Sequence, residues 1–434
     1  MSPRRKVAMP TLLIRFWVGL LALTGLSAVY TIILTLHYHS EYPWDVQFLW
    51  GPDFSWDFLV FRDRFLHFRA PDFWQIPGLP FTYPATLGVA FGILYKFAHP
   101  VRVYLGLCAT GLLAWAIWFV RSLAAKGVAQ GPAAVFVLTI AATSWPVWIL
   151  VDTSNIEGLV AIFLGSGILA FVYRRCWLAA ALIGIAGAMK IFPLALLALL
   201  LSKRRYREFA GGIVIAIAVT LVSLSVMGPS ITEAQRHINS GLRLVTTVDA
   251  YALTSPGPDT NHSLYTVVRY AVLLAHHIHP HTSAPQPERD AAILLPVYDV
   301  YLVLGGIAAI AVYFVRLRRL PILNQILAIT VYAVMFPPLS RDYSLLQLLV
   351  PLGLLCIYAA MQTQPVPGLV ACFACYAVIL SPVTFLSFGL SLTSQFRAFT
   401  LLALFVLLLK YPFAWASLDT AARAGANDAP SYDR

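Results

Sequence analysis

The chain has 434 residues, of which 59% are hydrophobic and only 11% are charged, and its mean hydropathy is +0.76. This balance excludes an ordinary soluble globular domain and predicts an all-α integral membrane protein with many spans. The net charge is +11. In a membrane protein an excess of Lys and Arg reports topology rather than nucleic-acid binding, so we expect no nucleic-acid partner.

Apolar runs interrupted by charge, Pro or Gly predict about twelve transmembrane helices. The first runs from residue 11 to about residue 36 and is too long for the core of a cleaved signal peptide. The other predicted spans are 101–120, 131–150, 157–173, 177–189, 191–202, 208–228, 291–315, 322–338, 344–360, 367–389 and 396–412. The short segments 177–189 and 191–202 can equally form one bent hairpin. Residues 83–98 are predicted to be a re-entrant or interfacial helix, because counting them as a span would place the later basic clusters outside.

Basic residues fix the predicted orientation, since they gather in short cytoplasmic loops. A cytoplasmic N-terminus puts the cluster Lys203, Arg204, Arg205 and Arg207 inside. We therefore expect a multi-pass protein of the cell's inner membrane with both termini in the cytoplasm. Two long outer loops result, 37–100 and 229–290, and both are predicted to carry interfacial helices. One polytopic domain covers residues 1–415, and 416–434 is predicted to be a disordered cytoplasmic tail.

Carboxylates gather directly after the first span, in the stretch GPDFSWDFLVF. If this stretch is helical, Asp53 and Asp57 lie four residues apart on one face, among aromatic side chains. A carboxylate partly desolvated by aromatic surface is a stronger base, which suits general-base catalysis. The alternative is that these acids solvate a loop and help to fix topology.

Lys190 is an isolated cation in the long apolar run LIGIAGAMKIFPLALLALLL. An ionisable group in such a run usually faces a cavity or a partner, and an ammonium can bind a phosphate as a point charge. Arg341 and Asp342 follow FPPLS at the predicted outer end of two late spans. Arg341 can clamp a phosphate and Asp342 can bind a sugar hydroxyl. The alternatives are a snorkelling Lys190 paired with an outer acid, and an Arg341–Asp342 ion pair that caps a turn.

Further polar residues occur at predicted outer ends of spans. Asn155 and Glu157 can line a sugar pocket, although capping explains part of their segment. Asn261 precedes an amphipathic stretch that contains Arg269, a second candidate for phosphate binding, and Asn261 can equally be a plain N-cap. The histidines between residues 276 and 281 lie in a Pro-rich loop without a fixed register, so we expect no metal site there.

Five short motifs together make the chain resemble a known family. They are DFLVF at 57–61, FTYP at 81–84, AGAMKIFP at 186–193, NHSL at 261–264 and SRDY at 340–343. In this order they resemble the polytopic glycosyltransferases of the GT-C class, and within them family GT87, which carries the domain DUF2029. Many relatives place His where this chain has Tyr343, so an Asp–His pair at that turn is absent unless another residue replaces it.

The resemblance implies a GT-C fold that moves a sugar from a polyprenyl-phosphate donor to an acceptor hydroxyl, with inversion and on the extracytoplasmic side. Asp57 would be the catalytic base. Lys190, Arg341 and Arg269 would bind the donor phosphate. Substrate binding would fall to Asp53, Tyr83, Asn155, Glu157, Asn261 and Asp342. Mannose is the sugar that the family favours, and the acceptor would be a glycolipid or a glycan. We further expect membrane lipid to surround the chain and the reaction to require neither a cofactor nor a metal.

Two other functions fit a polytopic bundle with an intramembrane lysine. A transporter or flippase of lipid-linked substrates would also contain an intramembrane lysine. The chain, however, has no evident internal repeat of the kind that many transporters contain. A noncatalytic scaffold would not explain why ionisable residues are predicted at one membrane face.

Overall fold

The computed structural model describes residues 9–38, 55–59, 62–65, 83–248, 261–278, 287–382 and 393–416. Within these ranges the chain is helical, and the β-type pairing that the structure shows there is an isolated bridge between Asn261 and Arg341. Asp53, the tail 417–434 and parts of both predicted outer loops lie outside the described residues.

Eighteen α-helices, numbered here in chain order, are found in the described ranges. They are α1 Thr11–Tyr38, α2 Trp56–Leu59, α3 Arg62–Phe65, α4 Ala85–Leu94, α5 Pro100–Ala125, α6 Gln130–Thr143, α7 Trp145–Thr153, α8 Glu157–Val172, α9 Cys176–Met189, α10 Ala198–Ser202, α11 Tyr206–Met227, α12 Ile231–Val248, α13 Leu264–Ala275, α14 Pro287–Val315, α15 Ile322–Met335, α16 Leu349–Met361, α17 Leu369–Leu380 and α18 Thr393–Lys410. Three 3-10 segments join them, at Phe192–Leu197, Leu317–Arg319 and Asp342–Leu348.

Among the described residues, five helical segments are long and apolar enough to cross a membrane. They are Thr11–Val29, Pro100–Ala125, Tyr206–Met227, Ala292–Arg319 and Asp342–Met361. The count rises to six if α6 and α7, bent by 54° at their junction, form one span. Several other predicted spans are apolar helices of 10–17 residues. A 14-residue helix is about 21 Å long, less than the ~30 Å hydrocarbon layer. The predicted number of twelve is therefore not confirmed.

Proline and extended backbone account for two of the breaks. Ser144 is extended between α6 and α7, and Pro146 occupies the first turn of α7, where proline is tolerated because its missing N–H would have no helical acceptor. Lys190 is extended at the end of α9, and Pro193 lies in the 3-10 segment that follows. The structure divides 177–202 into α9 and the helical segment Phe192–Ser202, each too short to count as a candidate span, and the break between them puts Lys190 at the end of α9.

Helix α9 packs closely against both α8 and α11. A Cβ atom on Gly184 would lie 2.5 Å from the carbonyl oxygen of Gly212, so α9 and α11 approach to backbone contact there. Small residues allow such close approach, which replaces the hydrophobic drive that lipid does not provide. The opposite pattern is seen on α14, where Val303 and Ile310 are about 60% exposed, as expected for a lipid-facing helix.

The site described next lies at one end of α8 and α9. Glu157 is the first residue of α8, and Lys190 directly follows α9. Because the two helices are joined by a short turn at residues 173–175, they run in opposite directions and bring Glu157 and Lys190 to the same end. Arg174 and Arg175 lie at the other end, about 21 Å away along a 14-residue helix.

Candidate active site

Asp57 is carried by α2, a single turn that is docked on the end of α7. The turn begins at Ser55, whose N–H donates to the carbonyl oxygen of Asp152 over 2.7 Å. The hydroxyls of Ser55 and Ser154 lie 2.7 Å apart. Both serines have positive φ, 62° and 50°, which is uncommon outside glycine and persists where the surroundings enforce it. These contacts fix where α2 begins and so where Asp57 points.

An aromatic cluster supports α2 from below. Phe58 is fully buried, and its ring lies 5.2 Å from Tyr104, 5.5 Å from Phe91 and 5.1 Å from Tyr95. The hydroxyl of Tyr95 also donates to the carbonyl oxygen of Phe58. Aromatic pairs in stacked or edge-to-face arrangements, such as Phe58 with Tyr104 and with Tyr95, each add about 0.5–1.5 kcal/mol beyond the burial of area. A four-residue helix would be unstable alone. Here Phe58, the residue that follows Asp57, holds α2 in place.

Asn155 connects the Asp57 carboxylate to the rest of the site. Its amide nitrogen donates to Asp57 Oδ2 over 3.0 Å and to the Tyr83 hydroxyl over 3.3 Å. Its amide oxygen accepts the N–H of Glu157 over 2.9 Å, and its backbone oxygen accepts the hydroxyl of Tyr104. Asn155 is 1% exposed while Asp57 is partly exposed. The amide is therefore a fixed donor that orients a carboxylate which remains accessible.

Lys190 forms an ion pair with Glu157. The Nζ to Oε1 distance is 2.6 Å, and the side chains are 21% and 7% exposed. Gln347 donates to the same Glu157 oxygen over 3.1 Å. The structure thus shows the pairing that was one of the two alternatives for Lys190. An ammonium has three N–H donors, so the pair with Glu157 leaves capacity for a second anion.

Tyr83 and Arg341 complete this group. Burial raises the pKa of Tyr83, the Asp57 carboxylate raises it further, and the hydrogen bond from Asn155 and the charge of Arg341 lower it. Tyr343 interacts electrostatically with the same Tyr83, Arg341 and Asp57. We call these residues, which are linked by hydrogen bonds through Asn155 and Glu157 or by electrostatic interaction with Tyr83, the open network. Its members are Asp57, Tyr83, Asn155, Glu157, Lys190, Arg341, Tyr343 and Gln347.

A second polar group surrounds Asp342. The indole N–H of Trp145 donates to Oδ2 over 2.6 Å, and Arg397 donates to the same oxygen. The Nδ1 atom of His262 lies 3.3 Å from Oδ1. His262 is fully buried, and Asp342, Arg397 and Trp145 are each 1% exposed. We call the group the sealed network and include the two serines described next.

His262 continues the sealed network on its other side. Its Nε2 atom lies 3.2 Å from the hydroxyl of Ser340 and 3.3 Å from that of Ser344. Burial lowers the pKa of His262, and the nearby Asp342 opposes that shift. Neighbouring Asn261 bonds to backbone, donating to Pro338 O over 3.0 Å and accepting from Ser340 N over 3.0 Å. These contacts make Asn261 a brace between two loops.

Sequence reasoning missed His262 and Arg397. The signal for Arg397 was the same as for Lys190, a lone cation in an apolar run, SQFRAFTLL. His262 lay inside the NHSL motif, and it supplies to Asp342 the histidine that Tyr343 lacks. Arg269 is buried on α13, which packs against α14 and α18, and its charge acts on Tyr265 one turn earlier. Asp53 lies outside the described residues.

These features define an all-helical membrane protein with a polar site at one end of its bundle. The chain belongs to glycosyltransferase family 87, whose family model matches residues 81–339. The match covers Tyr83, Asn155, Glu157, Lys190 and His262, and it confirms the family suggested by the motifs. The protein is therefore a glycosyltransferase that needs a sugar donor and an acceptor. Searches of curated proteins and of solved structures found no significant match.

Proposed function

We propose that the protein moves a sugar, with mannose as the first candidate, from a polyprenyl-phosphate donor to an acceptor hydroxyl by an inverting reaction. The fold would be of the GT-C type, and the reaction would take place on the extracytoplasmic side of the inner membrane. The observation that carries this proposal is the open network, in which a partly exposed carboxylate and a partly exposed ammonium are held on the two sides of one Asn155–Glu157 turn.

Asp57 is the general base of this proposal. A carboxylate can accept about four hydrogen bonds, so the bond from Asn155 leaves room for an acceptor hydroxyl. Asp57 takes the proton from that hydroxyl while the hydroxyl oxygen attacks the anomeric carbon, and the phosphate departs from the opposite face. General-base catalysis contributes about 10²–10⁴-fold to a rate. Asp53, four residues earlier, would bind the acceptor.

Lys190 and Arg341 would bind the departing phosphate. Fixed cations stabilise charge that develops on a leaving group, so the reaction needs no metal ion. Glu157 compensates Lys190 before the donor arrives and keeps the ammonium in place, which avoids a lone buried charge. Arg269, buried on α13, remains the further candidate for phosphate binding. The polyprenyl chain would remain in the bilayer, and the acceptor would be a glycolipid or a glycan.

The test is transfer by the purified protein in lipid nanodiscs with a panel of polyprenyl-phosphate sugars, measuring the release of polyprenyl phosphate. Asp57→Asn keeps the size of the side chain and its contact with Asn155 but removes the base. We expect its rate to fall by about 10²–10⁴-fold, with an unchanged melting temperature. Asp63→Asn, in the same loop and between two arginines, is the matched control and should retain activity. An active Asp57→Asn enzyme would refute the assignment, and transport of the lipid without release of phosphate would favour a flippase.

A further inference from the structure

Asp342 was a candidate sugar ligand, and its surroundings point to a different role. We propose that Asp342 is a positioning residue. Its carboxylate, which is bound by Arg397, Trp145 and His262, keeps Asp57 and Lys190 of the open network in a fixed position relative to each other. The catalytic part of this inference rests on the proposed function, whereas its geometric part does not.

The Asp342 carboxylate is closed to a substrate. Three donors surround its two oxygens, from Trp145, Arg397 and His262, and its exposed fraction is 1%. Because the carboxylate is buried, a sugar hydroxyl could reach it only by moving one of these donors aside and leaving that donor buried without a partner. Such a loss is costly, since an unsatisfied buried charge or donor is strongly unfavourable. The contacts described for Asp342 are therefore those of a structural clamp.

The first arm of the clamp leads to Asp57. Trp145 is the first residue of α7, and Asp152 lies near the end of the same helix. Asp152 and Ser154 are the residues that hold Ser55 and the beginning of α2. A nine-residue helix is about 13 Å long and transmits a displacement as a rigid body. A shift of Trp145 relative to Asp342 consequently moves the support of the base.

The second arm leads to Lys190. Asp342 opens the 3-10 segment Asp342–Leu348, which packs against both α7 and α8. One face of this segment carries Gln347, which donates to Glu157, the partner of Lys190. Arg341 and Tyr343 flank Asp342 in the chain. The Asp342 carboxylate thus fixes the position of this 3-10 segment. The segment and its flank bring Arg341, Tyr343 and Gln347 to the open network.

His262 secures the clamp and does not act as a base. Serine, histidine and aspartate follow one another here as in a nucleophilic triad, but all are at most 1% exposed, so no substrate carbonyl or anomeric carbon reaches them. With Nδ1–H donating to Asp342, Nε2 is left to accept from Ser340 or Ser344. Burial lowers the pKa of His262 and favours this neutral form. The histidine therefore ties residues 261–263 to the 340–344 turn.

Trp145→Phe tests the proposal because it removes the indole N–H donor to Asp342 and keeps an aromatic ring. The smaller ring also leaves a cavity at this buried position, so the melting temperature is measured with each variant. Trp148→Phe is the control on the same helix, since its indole N–H donates to the Ala142 carbonyl at a partly exposed position. We expect kcat to fall about tenfold or more for Trp145→Phe with little change in the KM for the acceptor, and Trp148→Phe to keep the wild-type kcat. Asp342→Asn should lower kcat further.

A second readout does not depend on activity. Ser55 and Ser154 are replaced by cysteines, and the rate of disulfide formation between them, followed by mass spectrometry of the linked peptide, reports the docking of α2 on α7. Trp145→Phe in this background should slow the linkage several-fold, and Trp148→Phe should not. A general loss of stability would instead lower the melting temperature and leave kcat unchanged at a permissive temperature.

The two failures are distinguishable. If Trp145→Phe and Asp342→Asn both keep kcat and linkage rate, the positioning role is wrong even though the enzyme works. If no polyprenyl-phosphate sugar is a substrate, the proposed function fails, and the linkage rates still decide on the clamp. Should Asp342→Asn not fold, Trp145→Phe carries both measurements.

Discussion

The two polar networks of this protein lie side by side in an apolar bundle and differ in their access to solvent. In the open network Lys190 is 21% exposed and Asp57 is partly exposed, whereas in the sealed network the charged side chains of Asp342 and Arg397 are each 1% exposed. Both contain a carboxylate and a cation far apart in sequence. Only the first leaves donors and acceptors that a ligand can reach.

The difference shows what each network can do. Desolvating two charges costs several kcal/mol per ion, and a sealed pair recovers this only when every donor and acceptor is met within the protein. Such a pair is closed to a substrate because it is buried, as Asp342 and Arg397 are. An open pair with a partial hydration shell costs less to build, and a ligand can replace its water. This difference supports the proposal that the open network carries the chemistry and the sealed network positions it.

The largest expected effect is a loss of stability on substitution of Arg397 in the sealed network. Arg397→Met leaves the Asp342 carboxylate buried without its cation, so we expect the free energy of unfolding to fall by about 3–5 kcal/mol. Unfolding by SDS in mixed micelles measures this change. Arg102→Met, at an exposed position in α5, is the control and should stay within about 0.5 kcal/mol. Adding Asp342→Leu to Arg397→Met should recover part of the loss, and no recovery would contradict the ion pair.

Substitutions in the open network should weaken substrate binding more than they reduce stability. Lys190→Gln removes a charged donor to the phosphate, and a hydrogen bond to a charged group contributes about 1.5–3 kcal/mol. We expect the KM for the donor to rise about 10- to 100-fold, with a smaller loss of stability than for Arg397→Met because Glu157 keeps its bond from Gln347. Lys96→Gln, an exposed lysine, is the control. An unchanged donor KM would remove Lys190 from the phosphate site.

The smallest expected effect is a dependence of stability on pH from the sealed network. Burial lowers the pKa of His262 in the folded state. As the pH falls through the ordinary histidine pKa near 6.5, the unfolded chain therefore binds more protons than the folded chain. Stability should therefore decrease as the pH falls below that value, by at most about 1.4 kcal/mol per pH unit for one proton. Comparing the slope for the wild type with that for His262→Gln isolates the contribution. An equal slope in both would show that His262 does not carry it.

Much of the fold could be predicted because its signals are local. Long apolar runs predicted helices at most of the observed positions, and the run up to Lys190 and Pro193 predicted the break after α9. The number of spans could not be obtained in this way, because a 10-residue apolar helix and a 20-residue one have the same composition. The bend at Ser144 within the predicted span 131–150 depends on the local extended backbone that packing selects.

The sequence by itself determined that this is a helical membrane protein of a glycosyltransferase family. It singled out Lys190 as an isolated charge in an apolar run and Asp57 as one of a group of carboxylates among aromatic residues, and both signals are visible without any structure. Only the tertiary structure decided the partners of these charges. Glu157 and Lys190 are 33 residues apart, and Asp342 lies 80 residues from His262 and 55 from Arg397. Which carboxylate meets which cation, and whether water reaches the pair, depends on how helices distant in sequence pack.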